Sequence, residues 1–387
     1  MSNRQERLKL IQAVEKSRES KLITYITGDR RGIPGQISSD AVRPMYNHVR
    51  ALGFEGVPRI DLFLYSQGGD VNVPWRLVTM LRQYCQELNV LIPYKAHSAA
   101  TLISIGADRI VMSKKGELGP IDPILTRTEQ GEQTAVVEQI NVEDIMAFVA
   151  FLKERAGLGD QAALSSNISI LIQQLSPWAL GSIYRTHSHI RLIARNLLTS
   201  HKETLEERQI NLIVETLAEK IYSHGHAIGR EEAIEIGLPI EKPDAELEDR
   251  MWQLLEMYES MMNLDYPIDP KGIIPPGKDE HKEDVILACI ESEAQLNVFR
   301  GELRFHHIRK LPPQLNMNLN IQLQLPPHLK PEELPAEAPK VIQEMLNGLR
   351  DQIAPMVQAE LNKQAPIERT KGDLLSAYWQ DATNDGI

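Results

Sequence analysis

The chain has 387 residues, a formal charge of -11 and 42% hydrophobic residues. That is longer than one compact core supports, so two domains or a domain with appendages are expected, and the negative balance argues against nonspecific nucleic-acid binding, which needs a basic surface. The two cysteines, Cys85 and Cys289, lie in apolar runs and offer neither a disulfide framework nor a CxxC metal site. No stretch approaches the roughly 20 apolar residues that span a bilayer. The charged, amphipathic N-terminus lacks the apolar run of a secretory signal. Together these point to a soluble cytoplasmic protein.

In chain order, Gln5 to Glu19 reads as a helix and Leu22 to Thr27 as a first strand. Gly28 to Gly35 is a loop, and Ser38-Ser39 leads into a helix carrying Val42, Met45, Tyr46, Val49 and Leu52. Ile60 to Tyr65 is a strand closed by Ser66-Gln67-Gly68-Gly69-Asp70, where adjacent glycines let the backbone bend and expose amide N–H groups. Val73, Leu77, Val78, Leu81, Cys85 and Leu88 then recur at helical spacing, with Pro74 in the first turn. A strand at Val90 to Tyr94 meets a corner at Lys95-Ala96-His97, and Ser98 opens an apolar helical segment, Ala99 to Ala107. A serine between a strand and a helix is placed as an activated nucleophile is, beside unpaired amides and the positive end of the helix dipole. The same residues also have plainer readings, an N-cap for Ser98 and a simple turn for Gly68-Gly69.

With SAATLISIGADRIVM followed by LGPIDP, the run from Arg59 to Pro123 resembles the core of the Clp/crotonase superfamily. Within it the likeness is to the serine dehydrogenase proteinase family, related to signal peptide peptidase A and the Clp proteolytic subunit, over about Lys21 to Met262. The resemblance implies an α/β fold, a spiral of βαβ units. It also implies that Ser98 is the nucleophile, that the Ala99 N–H with an amide of Gly68 or Gly69 forms an oxyanion hole, and that the chain assembles as a homo-oligomer.

Downstream, Ala135 to Ile140 reads as a strand and Asn141 to Arg155 as a helix on which Ile145, Val149 and Lys153 share one line. Helical patterns follow over Gln161 to Leu175, Pro177 to Ser200 and Thr204 to Tyr222. The segment SHGHAIGREEAIEIGLPIE then resembles the closing element of the superfamily core, and Asp244 to Met262 is an acidic helix. The expected domains are a peptidase domain over 1–265, a Pro/Gly-rich linker over 266–278, a small β module over 279–330 and a helical tail over 331–387. In the module, Val285 to Ile290, Gln295 to Phe299, Glu302 to Ile308 and the alternating Leu315 to Leu325 read as strands. In the tail, Val341 to Leu361 and Lys371 to Tyr378 read as helices.

A serine hydroxyl needs a base. No His occurs between His97 and His187, so the histidine that Clp-type relatives place soon after the nucleophile helix is missing. Lys153 is the first candidate, by analogy with the lysine of signal peptide peptidases and because burial along its helix would ready it as a base. His224, flanking Gly225 with His226, is the alternative; Lys202 and Lys220 sit in charged surroundings. Asp122 orients a base or braces its turn. The leading expectation is a cytosolic serine endopeptidase acting on protein or peptide without metal or cofactor. The alternatives are a crotonase-type acyl-CoA enzyme using carboxylates such as Asp122, and a catalytically silent ring-forming scaffold. No phosphate-loop signature is present, so ATP-driven unfolding would need a separate ATPase partner.

Overall fold

The computed structural model describes residues 3–53, 56–121, 124–130, 135–157, 160, 167, 169, 177–220, 225–269, 272–311 and 337–387. Asp122, His224, nearly all of the Gln161 to Leu175 segment and the Leu315 to Leu325 segment lie outside the described residues. The chain divides into one unit of Met1–Ile268, Asp284–Gly301 and Ala377–Ile387 and another of Asp269–Glu283 and Glu302–Ser376.

The first unit is a mixed α/β structure around a large sheet. Its opening half alternates helix and strand: α1 (Arg4–Arg18), β1 (Lys21–Thr27), α2 (Val42–Ala51), β2 (Val57–Tyr65), α3 (Val73–Arg82), β3 (Cys85–Ile92), β4 (Lys95–Ala96), α4 (Ala99–Ile105), β5 (Arg109–Met112) and β6 (Glu117–Leu118). A hairpin of β7 (Ile124–Gln130) and β8 (Ala135–Asn141) leads to α5 (Val142–Glu154), α6 (Pro177–Thr199) and α7 (Glu207–Glu215), which runs into a π-helical turn, Thr216–Lys220. Then come β9 (Ile228–Gly229), α8 (Arg230–Ile236), β10 (Ile240–Glu241) and α9 (Ala245–Met262). The strands β10, β5, β3, β2 and β1 lie side by side in that order, all parallel. Beside them β4, β6 and β9 make a small separate sheet.

These strands are apolar on both faces because both faces are covered. Ile23, Tyr25, Leu62, Leu64, Val90, Ile92, Ile110 and Met112 enter a core shared with α2, α3, α4 and α6. Their neighbours Leu22, Ile26, Phe63, Tyr65, Leu91 and Val111 enter a second core built with α1 and α9. The period-two alternation of a strand thus feeds two cores at once.

The helix expected through Leu88 ends at Arg82, and Cys85 and Leu88 belong to β3. Cross-strand pairing decides this, since Val57 faces Cys85 and Leu62 faces Val90 in a continuous parallel ladder that outweighs helical spacing over a few residues. The segment 279–330, expected as a separate module, contributes β11 (Glu280–Ser292), which pairs antiparallel with β1 from Ile23↔Ser292 to Thr27↔Ala288. The physical reason is that β1 is buried on both faces and would otherwise leave an unpaired edge inside the core. The two strands expected after it are one, β12 (Leu296–Arg309), and the expected helix at Lys371 to Tyr378 lies in a strand, β13 (Ile367–Asp381). In the first unit the Ala382 N–H donates to the Leu296 carbonyl at 2.8 Å, and the Phe299 and Trp379 rings lie 5.3 Å apart. The second unit holds α10 (Ala338–Gln364), as the apolar pattern over Val341 to Leu361 leads one to expect.

Candidate functional site

The site lies where β2 and the β3–β4 segment end, the position at which parallel sheets leave a crevice. After Tyr65 the chain turns away from the sheet, and its bend is fixed from several sides. The Ser66 N–H donates to the Lys95 carbonyl and the His97 N–H to the Ser66 carbonyl, each at 3.0 Å, tying the turn after β2 to the corner before α4. The Ile37 N–H donates to the Gly68 carbonyl and the Asp70 N–H to the Ile37 carbonyl, each at 2.8 Å, so the loop before α2 backs the glycine pair.

Only glycine fits at position 68. Its φ is +107°, and a Cβ there would lie 2.8 Å from Ser98 Cβ, 2.9 Å from the His97 carbonyl oxygen and 3.3 Å from the Ala99 nitrogen. The two halves of the expected cradle are therefore in contact. The two glycine amides differ in an instructive way. The Gly68 N–H donates to Ser66 Oγ at 3.0 Å, and the Thr27 hydroxyl donates to the same oxygen at 2.7 Å. Neither the Gly69 nor the Ala99 N–H donates a hydrogen bond to any described residue.

Ser98 has φ 52° and ψ -114°, one of three non-glycine residues with positive φ among those described. It makes no side-chain cap to α4. Ser98 is half-buried, held in a costly backbone conformation and not used as a cap. Behind it, buried Thr101 locks the corner: its hydroxyl stands 2.8 Å from both the Ala96 and Gly119 carbonyl oxygens and accepts the Gly119 N–H at 3.2 Å.

The ionisable groups around the serine have distinct fates. His97 turns aside from the hydroxyl, as a sharp corner leads one to expect: Nδ1 is 3.0 Å from Gln67 Oε1, Nε2 is 3.3 Å from Glu117 Oε1, and the ring packs on Gly119. Lys95 Nζ bonds Asp29 at 2.8 Å; although burial opposes it, that carboxylate holds the ammonium above the ordinary lysine range, so Lys95 does not accept a proton. Lys153 is exposed in the last turn of α5 while Leu152 beside it is buried, so the burial expected to ready it is not provided by α5. His226 is exposed and bonds Glu232 at 2.9 Å. Among the described residues no cluster of His, Cys, Asp and Glu could hold a metal ion, and no helix is long and apolar enough to cross a membrane.

The sequence pattern of the ClpP-like SDH-type serine proteinases matches residues 1–154, which hold the glycine pair, Ser98 and Thr101. The match covers under half of the 387 residues, so the likeness to that family is a likeness of residues 1–154. An uncharacterized protein of Methanocaldococcus jannaschii is 25% identical over 274 residues, 69% of this chain and 82% of that one. A second uncharacterized protein of the same organism is 30% identical over 124 residues, 30% of this chain and 42% of that protein. Among solved structures, a mutant of the 1510-N membrane-bound stomatin-specific protease overlaps 60% of this chain and 85% of its own, with 16% identity and a TM-score of 0.35. Another mutant of it, in complex with a substrate peptide, overlaps 58% and 76% with 15% identity and a TM-score of 0.33. The serine-proteinase family reading rests on the match over residues 1–154, and those residues include the whole of the crevice from Gly68 to Thr101.

Proposed function

We propose that the protein is a serine endopeptidase in which Ser98 attacks the scissile carbonyl and the Gly69 and Ala99 amides receive the oxyanion. One observation carries this reading: a strained, uncapped serine lies against a glycine turn whose second amide, like the one after the serine, meets no acceptor among the described residues. Two preorganised donors at one gap stabilise charge that develops only during the reaction. Gly68 then shapes the gap while Ser66 and Thr27 fix its amide, and the repeated βαβ units that hold the gap are those of the superfamily's spiral. Lys153, by analogy with the lysine of signal peptide peptidases, is the base, with His224 as the alternative. An acyl-CoA enzyme of the crotonase type would use the same amides and leave the serine idle.

The test is Ser98→Ala. It should abolish hydrolysis of fluorescein-labelled casein and covalent labelling by a fluorophosphonate, while the mass of the assembled protein stays unchanged. Undiminished hydrolysis by the variant would remove Ser98 from the reaction, and binding of an acyl-CoA without fluorophosphonate labelling of the parent would favour the crotonase reading.

A further inference from the structure

We propose that Asp29 is a positioning residue for Ser98, acting through the side chains of Gln67 and His97 on the corner that carries the serine. The inference rests on the serine-peptidase reading above and names what holds that serine in place.

The need for such a hold comes from the backbone. A non-glycine residue at positive φ costs free energy and persists only where its surroundings over-determine it. Ser98 has φ 52° and its side chain caps nothing, so the restraint has to come from its neighbours. After it, buried Thr101 is bonded to the Gly119 turn. Before it stands His97, whose carbonyl accepts the Ala100 N–H at 2.9 Å as α4 begins.

Asp29 is where three segments of the crevice meet. It follows β1, and both of its neighbours are anchored: the Gly28 N–H donates to the Leu287 carbonyl of β11 at 2.8 Å, and Arg30 Nε donates to the Tyr266 carbonyl at 2.7 Å. Its carboxylate accepts from Lys95 Nζ of β4 at 2.8 Å and from Gln67 Nε2, in the turn after β2, at 3.3 Å. The buried Tyr65 hydroxyl, at the end of β2, faces it as well. Burial opposes the charge, but these donors, Lys95 foremost, hold its pKa below the usual carboxylate range, so the group is an anion.

A carboxylate only accepts, and that sets the rest of the chain. Gln67 must turn its NH2 group to Asp29, which leaves its carbonyl oxygen 3.0 Å from His97 Nδ1. Nδ1 therefore donates, and the imidazole is held in one orientation against the Gly119 turn, where a Cβ on the glycine would meet His97 Cγ at 3.1 Å. Gln67 is exposed and immediately precedes Gly68. An exposed glutamine can leave both ends of its amide in water; here both ends are bonded within the protein, and they join the glycine turn to the corner before Ser98.

The experiment uses the full chain with fluorescein-labelled casein and a fluorophosphonate, comparing the parent with Ser98→Ala, Asp29→Asn, Gln67→Leu and the double variant of the last two. Asp29→Asn keeps the size and removes the charge. It should lower kcat between about tenfold and 100-fold with KM within about threefold of the parent, and slow the labelling of Ser98 by the same factor. Gln67→Leu should give a similar loss, and the double variant should be no slower than the worse of the two, because successive links of one chain are not additive. A role in stability alone would instead reduce the fraction of protein that is labelled and leave the labelling rate of the remainder unchanged. That pattern, effects that multiply in the double variant, or an inactive Ser98→Ala beside a fully active Asp29→Asn overturns the role of Asp29 alone. A fully active Ser98→Ala overturns the serine reading and this inference with it.

Discussion

At position 68 one hydrogen atom in place of a methyl group decides whether the crevice exists. Alanine there would force a left-handed backbone conformation costing about 1–2 kcal/mol and press its Cβ onto Ser98 and the His97 carbonyl. The chain can relieve that contact only by parting Ser98 from the glycine turn. Gly68→Ala is expected to slow fluorophosphonate labelling of Ser98 about 100-fold, since a displacement near 1 Å at a reacting centre has that effect. Labelling at the parental rate would show that the glycine turn does not set the gap. The chemistry at this scale was partly written in the residue order: Ser98, Ala99 and Gly68-Gly69 stood out as a set. Which glycine amide remains available was not, because that depends on the Ser66 hydroxyl turning back to accept the Gly68 N–H, with the Thr27 hydroxyl of the neighbouring strand donating to the same oxygen.

Among the elements, α4 is the short helix that opens just after Ser98, and the Thr101 hydroxyl ties it to the neighbouring turns. Thr101 joins β4 to the Gly119 turn by bonding one carbonyl from each and taking the Gly119 N–H. Thr101→Val keeps the shape and deletes the hydroxyl, leaving buried polar groups unsatisfied at a cost of about 1–3 kcal/mol. A urea midpoint lowered accordingly, with a fall in kcat larger than any change in KM, is the expected result; an unchanged midpoint would mean that the corner is held elsewhere. Helix α6 carries the other lesson at this scale. His189 Nε2 lies 2.9 Å from Oδ1 of Asn72, 117 residues back in the chain, and that contact sets which end of α6 lies beside the start of α3.

Across the first unit, buried polar links join segments that are distant in sequence. Arg7 and Glu291, both fully buried, pair at 2.7 Å; the Tyr258 hydroxyl donates to Glu291 at 2.8 Å and Arg7 donates to the carbonyl of Ile387 at 3.0 Å. The first helix, α9, β11 and the last residue are held as one network, which loses heavily if one charge is removed alone. Fully buried His48 links α2 to β11 through Ser292 at 2.7 Å, and burial pushes its pKa down to about 4. In the unfolded chain the ring takes up its proton near pH 6.5, roughly the ordinary value. Between those values the unfolded state binds more protons, so stability falls as pH drops from about 6.5 to about 4, by on the order of 3 kcal/mol for this group. His48→Asn, which cannot titrate, should narrow the stability gap from the parent over that window in urea melts; a gap independent of pH would show that His48 is not neutral in the fold.

By itself the sequence determined the alternation of helix and strand up to Ala107, apart from the end of α3, and the serine and glycine signals. Each of these depends on residues near one another in the chain, where backbone freedom and hydrophobic period are legible. Only the tertiary structure decided that residues 284–292 complete the central sheet, that Cys85 and Leu88 belong to a strand and that Lys153 is exposed. Those outcomes turn on which distant segment supplies a hydrogen-bonded edge or a packed face, and local periodicity carries no record of the partner.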